Sequence, residues 1–455
     1  MKKIYLLVCA LFAGSLPLLA QQEATLHSMQ SLPQNHYINP AFTPQQQFYL
    51  GLPGISSTYL SVTNSGFNYS SLVSVNPETD SLYIDLIGLQ KGLGKKNYLN
   101  LSAQTDVLSL GLKVNARMYL FLSSTLKVHN QLMYPEGMTG LLINGNGAYL
   151  GETVAFSPEV EHLSYLENAI GASYTVDKKL TVGARFKLLK GVANIQTAQS
   201  DFTLTTDADT YALNLKGTLQ IQTAGAYDLI EGNIELVDFQ NYSYSDLQNN
   251  GFAVDLGATY QLSNRLMLGF SALNLGSIKW KHDTREYYLQ GAEITFRGLN
   301  VKDLANGGSG TAELEQELEE AFRPQDRPMD SYHSGLPGQF YLSARYELAR
   351  NLNASGLLFA QSFNGNINTA FSATLNKDFG RRIGASLSYT AANRSFSNLG
   401  AGFSFRLTPI QFYFVSDNII SSPIFYRSAK ALSLRAGLNL MFGYRKGPSK
   451  PPYDN

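Results

Sequence analysis

The residues from which chemistry could be built are few in this 455-residue chain: six histidines, one cysteine and a set of well-spaced carboxylates. His27, His36, His129, His162, His282 and His333 are scattered. No two sit at the spacing that puts a pair of imidazoles on one helix face, and there is no His-Glu-x-x-His. His282-Asp283 is the one pair that could act as a base and its orienting acid, but a two-residue match in a polar stretch is common by chance. Cys9 lies inside an N-terminal segment with Lys2 and Lys3, then an apolar run from Ile4 to Phe12, then Pro17 and Leu18-Leu19-Ala20. That order is a secretory signal over residues 1–20, cleaved near Ala20. Cleavage leaves no thiol, which excludes thiol catalysis and thiolate metal sites in the mature chain. There is no Gly-x-Ser-x-Gly elbow, and Gly307-Gly308-Ser309-Gly310 lacks the strand and helix that would make it a phosphate cradle. The residues argue for no enzyme, no cofactor and no metal.

The more informative charges sit on the polar side of a repeated alternation. From Leu432 to Tyr444, Leu432, Leu434, Ala436, Leu438, Leu440, Phe442 and Tyr444 share one parity, while Ser433, Arg435, Gly437, Asn439 and Gly443 share the other. A strand sends successive side chains to opposite faces, so this stretch has one greasy face and one polar face. Its length suits a bilayer crossing of about 9–11 tilted residues. Lipid offers no hydrogen bonds, so such strands must close into a barrel. The pattern recurs at Leu112–Lys127, Leu180–Leu188, Phe252–Leu262 and Phe340–Leu348, with Lys113, Arg117, Arg185, Lys187, Arg345 and Arg435 opposite the apolar residues. Charge on the lipid face costs about 2–4 kcal/mol at mid-bilayer, so these six are candidates to line the lumen, carrying solute or pairing with lumenal acids. Composition agrees: 15% charged residues against a usual ~25%, 12% aromatic, and no run of 18 apolar residues beyond residue 20. Thirty-five basic and 35 acidic residues balance, so nothing marks nucleic acid as a partner.

The fold class expected is all-β: an antiparallel transmembrane β-barrel of the outer membrane with about 14 strands, within 12–16. Residues 48–444 form it, with a kink at Gly51, Pro53 and Gly54. A polar segment, 21–47, precedes it near the barrel mouth, and a tail, 445–455, follows. An insertion at 298–334 carries a helix, 311–322, that is either a solvated surface helix or a lid or docking element. Trp280, Phe442 and Tyr444 are read as aromatics at the membrane interface.

Two local stretches carry a resemblance. Tyr37-Ile38-Asn39-Pro40-Ala41, soon after the signal, resembles the start of PorP/SprF-like barrels of Bacteroidota. Leu273-Asn274-Leu275-Gly276-Ser277-Ile278-Lys279-Trp280, a strand running into a turn, resembles FadL/PorV-like barrels of that phylum, and most of all a branch known only as a domain of unknown function. The resemblance implies a Gram-negative outer-membrane location, insertion by the barrel-assembly machinery, and a partly plugged lumen. It implies either transport of a hydrophobic solute or an accessory role in protein secretion and surface assembly. A passive diffusion porin and a non-transporting docking barrel are the alternatives.

Overall fold

The computed structural model describes residues 23–66, 73–75, 81–225, 247–297, 316, 319–363, 365–392, 395–419 and 431–443. The signal segment 1–20 with Cys9, Tyr444 and the tail 445–455 therefore lie outside the described residues, as does most of the helix expected at 311–322; Gln316 and residues 319–321 are helical.

Fourteen antiparallel strands close into a barrel. The first, β1, is broken into Phe48–Gly51 and Thr58–Asn64. It is followed by β2 (Lys96–Lys113), β3 (Met118–Pro135), β4 (Glu159–Thr175), β5 (Leu180–Thr206), β6 (Asn249–Gln261) and β7 (Leu266–Trp280). Then come β8 (Gly338–Ala349), β9 (Leu352–Phe363), β10 (Asn366–Phe379), β11 (Ile383–Ala392), β12 (Ser395–Leu407), β13 (Ile410–Ser416) and β14 (Ala431–Phe442). Closure is made by the first and last strands: Phe48 pairs with Phe442 and Thr58 with Ala436. The break in β1 falls at the kink read from Gly51, Pro53 and Gly54, and Ile55 and Ser57 still bond the neighbouring strands across it.

The alternation has the polarity of a membrane barrel. Outward positions are apolar and exposed, among them Phe270, Leu342, Leu358, Phe371, Leu387 and Phe403. Inward positions are small and polar: Ser271, Ser343, Thr374, Ser386, Ser388 and Ser404 are all buried. A soluble sandwich would be the reverse. Exposed leucine and phenylalanine on strand after strand around the circumference is a lipid-facing belt. No helix among the described residues is long and apolar enough to cross a membrane.

One end of the barrel has short turns, at 114–117, 176–179, 262–265, 350–351, 380–382 and 408–409. The other has the long connections, two of which carry helices, Leu86–Gly92 and Glu136–Asn144. The upper part of β5 continues past the barrel and pairs with Leu213–Ala224, which pairs in turn with Thr284–Phe296. Short turns face the periplasm in single-chain bacterial barrels.

One expectation needs correction. Leu112–Lys127 is not a single strand. The chain turns at 114–117, where the Asn115 carboxamide accepts hydrogen bonds from the amides of Arg117 and Met118 at 2.8 and 3.0 Å. No glycine or proline marks this turn, and the apolar parity runs straight through it.

Placing a charge in the belt, as in Leu358→Arg, is expected to destabilise the barrel by about 2–4 kcal/mol. Urea-unfolding midpoints in lipid vesicles measure this, and an unchanged midpoint would contradict the assignment of that face to lipid.

Candidate functional site: a lumen filled by the N-terminal segment

Residues 23–47 do not lie beside the mouth. They run down inside the barrel and fill it. The segment begins with a five-residue helix, α1 (Ala24–Ser28), too short to hold itself together. The wall holds it instead. The Asp417 carboxylate accepts the backbone amides of Glu23 and Thr25 at 2.9 and 2.8 Å, satisfying donors at an orphaned helix start. The hydroxyls of Thr25 and Ser28 meet those of Ser388 and Ser386 on β11 at 2.6 and 2.8 Å.

A 3-10 turn, Pro33–Tyr37, follows, with proline in the first turn, where its missing N–H costs nothing. Gln34 and Asn439 on β14 exchange carboxamide hydrogen bonds at 2.7 and 3.1 Å. The Tyr37 hydroxyl donates to Asp106 on β2 at 2.9 Å, and Ser271 on β7 donates to the Ile38 carbonyl at 2.6 Å. Asn39 accepts from the Ala41 amide at 2.9 Å and donates to the Phe270 carbonyl at 3.1 Å. The Tyr-x-Asn-Pro-Ala stretch is thus a turn locked onto the wall. Two wall glycines make room for it. A Cβ at Gly257 would sit 2.2 Å from Asn39 Oδ1, and one at Gly183 would sit 2.2 Å from the Pro40 carbonyl.

The plug has an apolar side as well. Ala24, Leu26, Met29, Leu32 and Ile38 pack on inward residues of β7, β8, β9 and β13, including Leu273, Tyr341, Leu357, Phe359 and Tyr413. His27 and His36 are buried with it. Loss of hydration holds the plug's imidazoles down, His27 to about 4, with Arg345 adding to the effect, and His36 to about 3, so both are neutral in the seated plug.

The opposite side of the lumen is charged. Glu167 on β4 accepts Lys127 at 2.7 Å, Lys187 at 3.3 Å and Arg185 at 3.3 Å. Asp255 on β6 accepts Lys187 at 2.7 Å and Arg185 at 3.1 Å. The Arg185 guanidinium also lies 5.0 Å over the ring of Tyr37, tying the network to the plug. Removing one partner from such a buried pair costs about 3–5 kcal/mol, because the other charge stays behind.

Four of the six charges read from sequence as lumen-lining point into the barrel. Arg185 and Lys187 sit in the network just described. Arg435 pairs with Glu23, its guanidinium 4.8 Å over the ring of Tyr59. Arg345 bonds the carboxamide of Gln30. Lys113 is at the short-turn rim, where its amide donates to the Gln47 carbonyl at 2.7 Å. Arg117 is exposed in the 114–117 turn and does not line the lumen. Trp280 is not at an interface either. It is fully buried, its indole N–H donating to Ser334 at 2.8 Å, because the long connection after β7 folds back over it. Phe442 does face outward, its ring 5.9 Å from that of Phe48. The residues that sequence reasoning did not single out are the acids Asp106, Glu167, Asp255 and Asp417. Asp255 carried a signal, being on the polar parity of an otherwise regular alternation.

Cavities of about 90 Å³ and 180 Å³ flank the plug. The first is lined by Glu23, Lys127, Arg185 and Gln361, the second by Gln30, Asn35, Phe42 and Thr181.

These features define a class: a closed transmembrane β-barrel occluded by its own N-terminal segment. The chain belongs to the family of unknown function DUF5723, whose model matches residues 40–417. Similar solved structures include the Ralstonia pickettii toluene transporter TbuX, 11% identical over 90% of this chain and 93% of that one, with a TM-score of 0.43. A Pseudomonas aeruginosa FadL homologue is 10% identical over 91% and 94% of the two chains, with a TM-score of 0.38. The Pseudomonas putida toluene transporter TodX is 11% identical over 90% and 92%, with a TM-score of 0.39. No curated protein matches.

Gly257→Val is expected to cost about 1–3 kcal/mol of plug seating while leaving the wall hydrogen bonds in place. The barrel should still shift on a heat-modifiability gel but leak ions in a planar bilayer. A variant as closed as the native protein would show that the Asn39–Ala41 turn does not seal the lumen.

Proposed function

We propose that the protein is a Gram-negative outer-membrane barrel of the closed type, passing a hydrophobic or amphipathic solute when the plug shifts. The observation that carries this reading is the two-sided lumen. Movement of residues 24–38 would uncover an apolar wall made by Leu273, Tyr341, Leu357 and Phe359. Across from it stands the charged wall of Lys127, Glu167, Arg185, Lys187 and Asp255. An amphipathic solute has surfaces for both. A passive porin is disfavoured, since a porin lumen is a water-filled channel and this one is packed with bonded side chains.

A second reading is supported by the sheet that β5, Leu213–Ala224 and Thr284–Phe296 raise beyond the barrel. It offers a partner protein a long surface, as an accessory barrel in secretion or surface assembly would need. This reading carries over the likeness of the Asn39-Pro40-Ala41 and Asn274-Leu275-Gly276 stretches to PorP/SprF-like and PorV-like barrels of Bacteroidota. Signal cleavage near Ala20 and insertion by the barrel-assembly machinery belong to either reading.

Planar-bilayer conductance tests both against the porin. The intact protein is expected to conduct little, and deletion of residues 23–41 to give steady, large openings. Steady, large conductance from the intact protein would overturn the closed-barrel reading. A closed native protein that co-purifies with a surface partner, and loses it when Leu213–Ala224 and Thr284–Phe296 are removed with β6 and β7 kept, would favour the accessory role over transport.

A further inference from the structure

We infer that the outer wall of the barrel holds one anionic glycerophospholipid, with an acyl chain in a groove across β8–β11 and the phosphate on basic residues at the groove's short-turn end. The groove measures about 530 Å³ and lies on the lipid side of the wall. Its floor is Ala344, Ala354, Gly356 and Ala373, all on the outward parity of their strands. Register brings them together: Ala344 pairs with Gly356 and Gly356 with Ala373, while Ala354 is one outward row nearer the short turns. Tyr346, Leu375 and Tyr389 stand at the sides. One outward row further from the turns, Leu342, Leu358 and Phe371 are large and exposed again, so the hollow belongs to the half of the belt nearer the short turns. Its volume falls within the ~300–1,000 Å³ of ligand clefts, and an apolar hollow inside the belt takes hydrocarbon rather than water.

The charge at the end of the groove selects the lipid. Lys377 is on the outward parity of β10, two residues and so about 7 Å beyond Leu375, and its ammonium donates to the Arg350 carbonyl at 3.2 Å. Arg265, Arg350, Arg381 and Arg382 are exposed in the neighbouring turns 262–265, 350–351 and 380–382. The carboxylates of these turns and strand ends are Glu347 and Asp378. Both are on the inward parity, where they act electrostatically on Arg345 in the lumen. Counted in full against the five cations, they still leave this end of the groove positive.

The other end of the barrel is different. Exposed cations there are met by carboxylates, as in Lys96–Glu159, Lys216–Glu293 and Arg285–Asp326. Among the described residues, none of Arg265, Arg350, Lys377 and Arg382 is in such a pair. A phosphodiester supplies the anion, since its oxygens accept from both ammonium and guanidinium groups. A zwitterionic lipid carries its own amine against that phosphate; a phosphatidylglycerol does not. Basic groups at a membrane surface draw in anionic lipid for this reason. The site is on the outside of the wall, so it stands apart from the plug and from the choice between transport and accessory role.

The test is native mass spectrometry of the full-length, detergent-folded protein, titrated with phosphatidylglycerol or with phosphatidylcholine of the same acyl chains. Saturable addition of one phosphatidylglycerol per chain is expected, with phosphatidylcholine at least tenfold weaker. Arg350→Gln with Lys377→Gln should cost phosphatidylglycerol tenfold or more, about fivefold per cation. Arg117→Gln with Lys179→Gln removes the same charge from the turns between β2 and β5 and should leave binding unchanged. Ala373→Leu fills the groove and should abolish saturable addition. Gly356→Val does so independently, at a position where a Cβ meets nothing nearer than 3.9 Å. A heat-modifiability gel reports the folding of each variant. Equal affinity for the two lipids, equal losses from the two charge pairs, or unchanged binding in a folded groove-filling variant would each overturn the inference. So would a dimer that the groove-filling variants abolish, since the occupant would then be a second copy. Should neither groove-filling variant fold, a loss confined to Arg350→Gln with Lys377→Gln supports the site and a loss shared by both charge pairs refutes it.

Discussion

Lipid supplies no hydrogen bonds, and the rest of this structure follows from that constraint. Every strand edge must be paired, so β1 has to find β14, and the pairing of Phe48 with Phe442 is what turns a long meander into a closed wall. Once the wall is closed, its outward parity is apolar and its inward parity polar. The interior is therefore not an oil-like core but a tube of hydroxyls, carboxamides and charges such as Ser388, Asn439, Asp255 and Arg185. Those groups also need partners. The N-terminal segment provides them, with Thr25 and Ser28 bonded to β11, Gln34 to β14, Tyr37 to β2 and Asn39 to β7.

The plug is held by many modest contacts rather than by one strong lock. A net hydrogen bond contributes about 0.5–1.5 kcal/mol, so no single one decides the seating. The ion network is of another kind. Its members gain little over an apolar core of equal volume, yet losing one leaves a stranded charge. It fixes which inward groups face which, and through Arg185 over Tyr37 it reads whether the plug is present. Function enters here, because a lumen that is apolar on one side and charged on the other is closed only as long as the segment between them stays seated.

Much of the wall was legible. The alternations over Leu432–Phe442 and Leu180–Leu188 and the break after Gly51 all appear where their residues place them, because parity and turn chemistry are local properties. The misreadings share a cause. Residues 114–117 turn on an Asn115 side chain, without glycine or proline, so parity alone joined two strands into one. Trp280 looked interfacial because its burial depends on Tyr332 and Ser334, more than 50 residues later. The plug was the least legible part. Residues 21–47 have no periodicity of their own, and their partners, from Asp106 to Asn439, are set by closure of a barrel that local sequence does not describe. Inward basic residues could be picked out by parity, but their pairing with Glu167 and Asp255 depends on register between strands.

The central claim is that the N-terminal segment sits inside the barrel. The most direct measurement is disulfide trapping in native outer membranes. Apart from Cys9 in the expected signal, the chain has no cysteine to interfere. Thr25→Cys with Ser388→Cys, and separately Ser28→Cys with Ser386→Cys, replace hydroxyls that lie 2.6 and 2.8 Å apart. Both pairs are expected to cross-link under mild oxidation, giving a gel shift that reductant reverses. Folded barrels in which neither pair cross-links would contradict it.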